Sequence, residues 1–98
     1  MKIESKKNGD TLTLAVSGRM DTVTAPDAEA AVKDGIDGVK ELVWDLAGLE
    51  YISSAGLRVL LSAQKIMNAQ GSMKVVGANE MIREIFEVTG FSDILTVE

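Results

Sequence analysis

Two adjacent serines, Ser53 and Ser54, stand directly before the most regular amphipathic stretch of the chain, which runs to Gly71. Stepped at about 100° per residue from Ser54, Gly56, Val59, Leu60, Ala63, Ile66 and Met67 share one broad arc, with Leu57 at its margin. That arc is the expected buried face. Ser54, Arg58, Leu61, Ser62 and Lys65 fall on the opposite, outward stripe. Ser53 stands where an N-cap belongs, and its hydroxyl can accept a hydrogen bond from an orphaned backbone amide, worth about 1 kcal/mol. Ser54 is then the first helical residue, at the end where free amides and the helix dipole favour negative charge. A phosphate on Ser54 would gain amide hydrogen bonds instead of melting the helix. It would also bring close to two negative charges to a surface otherwise suited to contact. Spacing alone favours a plainer reading, a cap and its neighbour, and a single outward Leu61 is ordinary.

Other chemistry is restricted by what the chain lacks. Among its 98 residues there is no histidine and no cysteine. A Ser-His-Asp or Cys-His apparatus, a disulfide and a thiolate-metal site cannot be built. No glycine-rich phosphate loop, metal cluster or paired-carboxylate site is visible, and no cofactor is expected. A hydrolase built on Asp45, Tyr51 and Lys65 lacks a base-nucleophile pair, so the expectation is a binding protein and not an enzyme. The net charge is -5 with no block of lysines or arginines, which argues against nucleic acid and against an anionic membrane surface. No apolar run has the length of a membrane span or signal peptide, and a cytoplasmic location is expected.

The elements that must position the serines follow from periodicity. Residues Ile3–Lys7 alternate weakly, Asn8-Gly9-Asp10 supplies a turn, and Leu12, Leu14 and Val16 alternate with Thr11, Thr13 and Ala15. This predicts a hairpin, with Gly18 punctuating its far end. Thr24 can cap a helix that has Pro26 in its first turn and Ala28, Ala31, Val32 and Ile36 as its stripe, ended by Gly35 and Gly38. Glu41–Leu46 reads as a buried strand closed by Ala47-Gly48. After the central helix, Met73, Val75 and Val76 form another strand. Asn79 caps a further helix with Met81, Ile82, Ile85, Phe86 and Val88, stopped by Gly90, and Ile94, Leu95 and Val97 read as a last short strand. Met67, Met73 and Met81 read as core filler. The fold class is α/β: one domain over residues 1–98, a small mixed sheet of an N-terminal hairpin plus parallel strands, flanked by helices.

The segment Asp45-Leu46-Ala47-Gly48-Leu49-Glu50-Tyr51-Ile52-Ser53-Ser54-Ala55-Gly56-Leu57-Arg58-Val59-Leu60-Leu61 strongly resembles the signature of STAS domains, the anti-sigma factor antagonists of bacterial partner-switching systems. Gly18-Arg19-Met20-Asp21 matches the family's glycine-x-x-aspartate turn. Val75-Val76-Gly77, Ile85-Phe86 and Thr89-Gly90-Phe91 match its closing strand, helix and glycine corner, so the resemblance spans essentially the whole chain. It implies that the protein binds an anti-sigma factor that is also a serine kinase. That kinase would end the interaction by phosphorylating Ser54, and a PP2C-type phosphatase would reset it, with ATP and magnesium belonging to the kinase. Partner contact is implied for Asp21, Ser53, Ser54, Arg58 and Leu61. Two positions depart from the pattern: Ser53 stands where many members have aspartate, and Ala55 where many have a second hydroxyl. Asp21 has an equal claim as a turn residue bonding local amides, Arg58 as a solvated side chain, and Asp45 as a strand-end cap. The rival functional reading is a constitutive scaffold or regulatory subunit of a transporter or sensory complex, which the same fold can serve.

Overall fold

A computed structural model describes all 98 residues. The hairpin forms as the turn chemistry requires: β1 (Lys2–Asn8) pairs antiparallel with β2 (Thr11–Met20), and Gly9 turns the chain at φ +63°. Helix α1 (Ala25–Gly35) crosses to β3 (Glu41–Ile52), α2 (Ser54–Gln70) crosses to β4 (Ser72–Val76), and α3 (Glu80–Val88) follows. Both strand-helix-strand crossovers give parallel pairs, and the sheet order is β1-β2-β3-β4. The expected mixed sheet is therefore the observed one.

Alternation fixes which face of the sheet is covered. Leu12, Leu14, Leu42, Trp44, Met73 and Val75 sit opposite one another in register and are fully buried, whereas Thr13, Val43, Asp45, Lys74 and Val76 between them are half-exposed. Helices α1 and α2 pack on the buried face and on each other. The core is a cluster of 25 buried apolar residues, and the one buried polar side chain is Gln64.

Three expectations about element ends are corrected. β2 continues through Gly18 to Met20, and β3 continues through Ala47-Gly48 to Ile52. The glycines mark irregular register inside the strands, not stops. Gly18 takes φ +87°, and a Cβ on Gly48 would lie 2.7 Å from that of Ser17. Both strands thus reach a common far edge. At the chain's end, Ile94-Leu95-Val97 does not form a strand. A single 3-10 turn over Phe91–Asp93 is followed by one bridge, Val97 to Val75, so the tail covers the β4 edge at one point.

Helix α2 is also rotated from its expected setting. Ile66 is exposed, while Leu57 and Gln64 are buried, a shift of roughly 40° on the wheel. Leu61, expected to face outward, follows the rotation and becomes half-buried. Gln64 is drawn into an apolar site where Nε2 donates to Asn68 Oδ1 at 2.8 Å but Oε1 has no partner. Trp44 Nε1 is likewise buried and unpartnered. Because an unmet buried acceptor is unfavourable, Gln64→Met should leave stability within about 1 kcal/mol of the parent or raise it. Urea unfolding checks this, and a loss well beyond that margin would contradict the assignment of Oε1 as unmet.

Candidate functional site

The far edge of the sheet, where β2 and β3 end, carries the two segments of interest. The chain leaves β2 into the loop Asp21–Thr24 and leaves β3 through Ser53 into α2. These exits are tied together, since the Ser53 amide donates to the Met20 carbonyl at 2.9 Å. A side chain at position 56 would break the tie: a Cβ there would meet Ile52 Cγ1 at 2.7 Å and the Met20 carbonyl oxygen at 3.1 Å. Gly56 thus allows the first turn of α2 to press directly on the strand ends.

Ser53 is the N-cap, with extended backbone (φ -94°, ψ 177°), and its Oγ accepts from the Gly56 amide at a long 3.4 Å. Ser54 is the first residue of α2 and is exposed. Its hydroxyl therefore stands at the end of a 17-residue helix whose first amides lack intrahelical partners. There is no acidic residue in that first turn, so a favourable site for negative charge is left unfilled.

Asp21 is engaged locally. Its Oδ1 accepts from the amides of Val23 (3.0 Å) and Thr24 (3.1 Å), and its own amide donates to Thr24 Oγ1 at 2.8 Å. The Thr24 hydroxyl is turned to the Arg19 carbonyl at 2.8 Å. Thr24 therefore does not cap α1 with its side chain, contrary to expectation; the Asp21 carbonyl takes the Ala25 amide instead. The Thr24 amide above all holds the Asp21 carboxyl below its ordinary range; desolvation, next in size, opposes it, and the Val23 amide, the Thr24 hydroxyl and the charge of Arg19 add to the lowering. The loop is thereby held in one shape, with Val23 84% exposed at its tip.

Between the loop and α2 lies a shallow groove of about 290 Å³, lined by Thr22, Ala25, Pro26 and Glu29 on one side and Ala55, Arg58, Val59 and Ser62 on the other. Arg58 is exposed and forms no ion pair, since Glu29 is paired with Lys33 at 3.2 Å. Of the five expected partner-contact residues, Asp21, Ser53, Ser54 and Arg58 come together around this edge. Of the five, only Arg58 lines the groove, and Leu61 lies two turns along α2, half-buried. Asp45 lies mid-strand on the half-exposed face, accepting from the Ala47 amide at 3.0 Å, well before the strand reaches Ser53.

Three residues at this edge were not among the expected partner-contact residues. Val23 is one. Arg19 and Tyr51 are the others: the guanidinium lies 4.3 Å from the ring centroid, and the two are paired across β2 and β3. Their meeting depends on a register that passes two irregularities. Val23 was legible only as an apolar residue among polar turn formers.

The chain as a whole is similar to known proteins. The STAS domain family model matches residues 2–98. BtrV of Bordetella bronchiseptica is 36% identical over 99 residues, covering 99% of this chain and 85% of that protein. An anti-sigma-B factor antagonist of Listeria monocytogenes is 32% identical over 105 residues, covering all of this chain and 89% of that protein. The crystal structure of an anti-sigma factor antagonist from Mycobacterium paratuberculosis superposes with a TM-score of 0.89 at 26% identity, over 98% of this chain and 83% of that one.

The lowered Asp21 carboxyl gives a pH signature. A depressed folded-state value means that the carboxylate stabilises the fold above its ordinary unfolded range and that this contribution is lost as pH falls through the folded value. The stability difference between the parent and Asp21→Asn should therefore be flat near neutrality and shrink under acid. Urea midpoints taken across that range check it, and a difference that grows on acidification would contradict the arrangement. Gly56→Ala should cost about 1–3 kcal/mol by forcing α2 off the strand ends, read by the same unfolding measurement.

Proposed function

The chain belongs to the STAS domain family, and on that footing we propose that it is an anti-sigma factor antagonist whose docking surface is the edge carrying Ser54. The partner is an anti-sigma factor that is also a serine kinase. Phosphorylation of Ser54 ends the complex, and a PP2C-type phosphatase restores it. The chain acts by binding, and ATP and magnesium are the kinase's. No helix is long and apolar enough to cross a membrane, and the reading places the action in the cytoplasm, where ATP is supplied.

The observation that carries this reading is an exposed hydroxyl on the first residue of α2, beside a shallow groove with an apolar floor and a rigid loop. The groove offers apolar surface from Ala25, Ala55 and Val59, and Val23 on the neighbouring loop is exposed. Arg58 offers an unpaired cation to an acidic partner group, and Asp21 shapes the loop rather than reaching out. A phosphate on Ser54 would be met by first-turn amides, so the helix would tolerate it. The partner would not, because close to two added charges would have to be desolvated against its surface.

The substitution of Ser53 for aspartate leaves the cap in place, since serine caps about as well. It removes one negative charge beside the acceptor. Ala55 leaves no second hydroxyl in the first turn, so Ser54 is the acceptor that the reading requires.

Incubation with the cognate kinase and ATP should add one phosphate, located on Ser54 by mass spectrometry and absent in Ser54→Ala. Unchanged labelling of that variant would refute the site. Ser54→Asp should weaken kinase binding at least about tenfold, or 1.4 kcal/mol, in a calorimetric titration. Identical titrations for the parent and this variant would instead favour a constitutive scaffold.

A further inference from the structure

Helix α3 carries a second surface that the Ser54 edge does not use. Its apolar residues span an arc of roughly 160° on the wheel, wider than the sheet can cover. Ile82 and Phe86 are fully buried and Ile85 is half-buried, but Met81 is 50% exposed and Val88 77%. Met81 was expected in the core and instead lies outside it. Met81, Ile85 and Val88 stand at i, i+4 and i+7, which is one continuous stripe along the helix. Beside it, at the same spacing, run Glu80, Glu84 and Glu87, all exposed.

The three carboxylates have no counterion. The protein's ion pairs are Lys2–Glu4 and Lys33–Glu29. Arg83, the one cation on α3, is committed elsewhere: Nε donates to the Ala78 carbonyl and Nη2 to the Glu98 main-chain oxygen, each at 3.1 Å. The stripe pair is thus apolar on one side and anionic on the other, over the whole length of the helix.

We infer that α3 is a docking surface for a protein partner that presents a basic amphipathic helix, with its apolar positions on Met81, Ile85 and Val88 and its lysines or arginines over Glu80, Glu84 and Glu87. The charge selects the occupant. A second copy of α3 would bring three carboxylates against three, with one guanidinium in each copy to offset them. An anionic lipid surface is repelled for the same reason. A basic helix gains apolar burial from exposed Val88 and Met81 and ion pairs that are screened by salt. The surface is separate in sequence and in element from Ser54.

The test uses the full chain, isotope-labelled for NMR, and a synthetic helical peptide of about four turns with leucine on one face and lysine beside it. Saturable binding should move the resonances of Met81, Ile85 and Val88 and weaken as salt is raised. Val88→Ser and the double change Glu84→Gln with Glu87→Gln should each lower affinity about fivefold or more, a difference of roughly 1 kcal/mol, with circular dichroism melting unchanged. Ser54→Asp should bind the peptide as the parent does, which separates this surface from the proposed switch. A scrambled peptide of the same composition should bind more weakly. The inference is overturned if shifts centre on the Ser54 edge or scatter over the acidic surface, if Val88→Ser binds normally, or if sedimentation gives a dimer that Val88→Ser dissociates.

Discussion

The end of β2 and the first turn of α2 are pressed together, and the rest of the site depends on that contact. One main-chain carbonyl, that of Met20, accepts the Ser53 amide at 2.9 Å and lies within 3.1 Å of where a Cβ at position 56 would stand. The contact fixes the axis of α2 relative to the loop that leaves the same strand. The first turn of α2, with Ser54 and Arg58, and the loop with Val23 are therefore held at one edge. A looser junction would leave the serine exposed but without a defined surface around it.

Charges at this edge are partly paired before any modification. Glu29 is held by Lys33, Asp21 lies within the field of Arg19, and Arg58 has no ion-pair partner. Opposing effects then act on a phosphate. The helix dipole favours it by about 0.3–1 kcal/mol, and charge-assisted bonds from the first amides add to that. Repulsion from Asp21 works against it, softened by solvent because that residue is only half-buried. The intramolecular sum favours keeping the helix intact. For a docked partner the comparison runs the other way, because desolvating a dianion at an interface costs several kcal/mol. Fold stability and complex stability thus respond to the same group with opposite signs, which is what a binding switch needs.

Much of this was legible in the sequence. The hairpin, the alternation of β2, the amphipathic α2 and its serine cap are local patterns, and local patterns survive folding. Most of the misses are non-local. Ala47-Gly48 reads as a strand end, yet β3 passes through it because Ser17 on the neighbouring strand leaves room only for glycine. Thr24 reads as a cap, but Asp21 captures its amide and the Arg19 carbonyl its hydroxyl. Leu61 and Ile66 exchange expected environments because the sheet takes α2 rotated toward Leu57 and Gln64. Met81 looks like core filler since composition cannot say how much of the α3 arc the sheet will cover. Packing against the sheet decided the cases of β3, α2 and Met81, whereas Thr24 lost its capping role to nearer partners, Asp21 and Arg19.

The central claim is that negative charge on Ser54 is absorbed by a fixed helix terminus. Amide NMR spectra of the protein before and after stoichiometric phosphorylation of Ser54 test it most directly. The account predicts resonance changes confined to the Asp21–Thr24 loop and the Ser53–Arg58 turn, with hydrogen exchange of the core strands unaltered. Shifts spreading through β2, β3 and the buried face of α2, with faster exchange there, would contradict it.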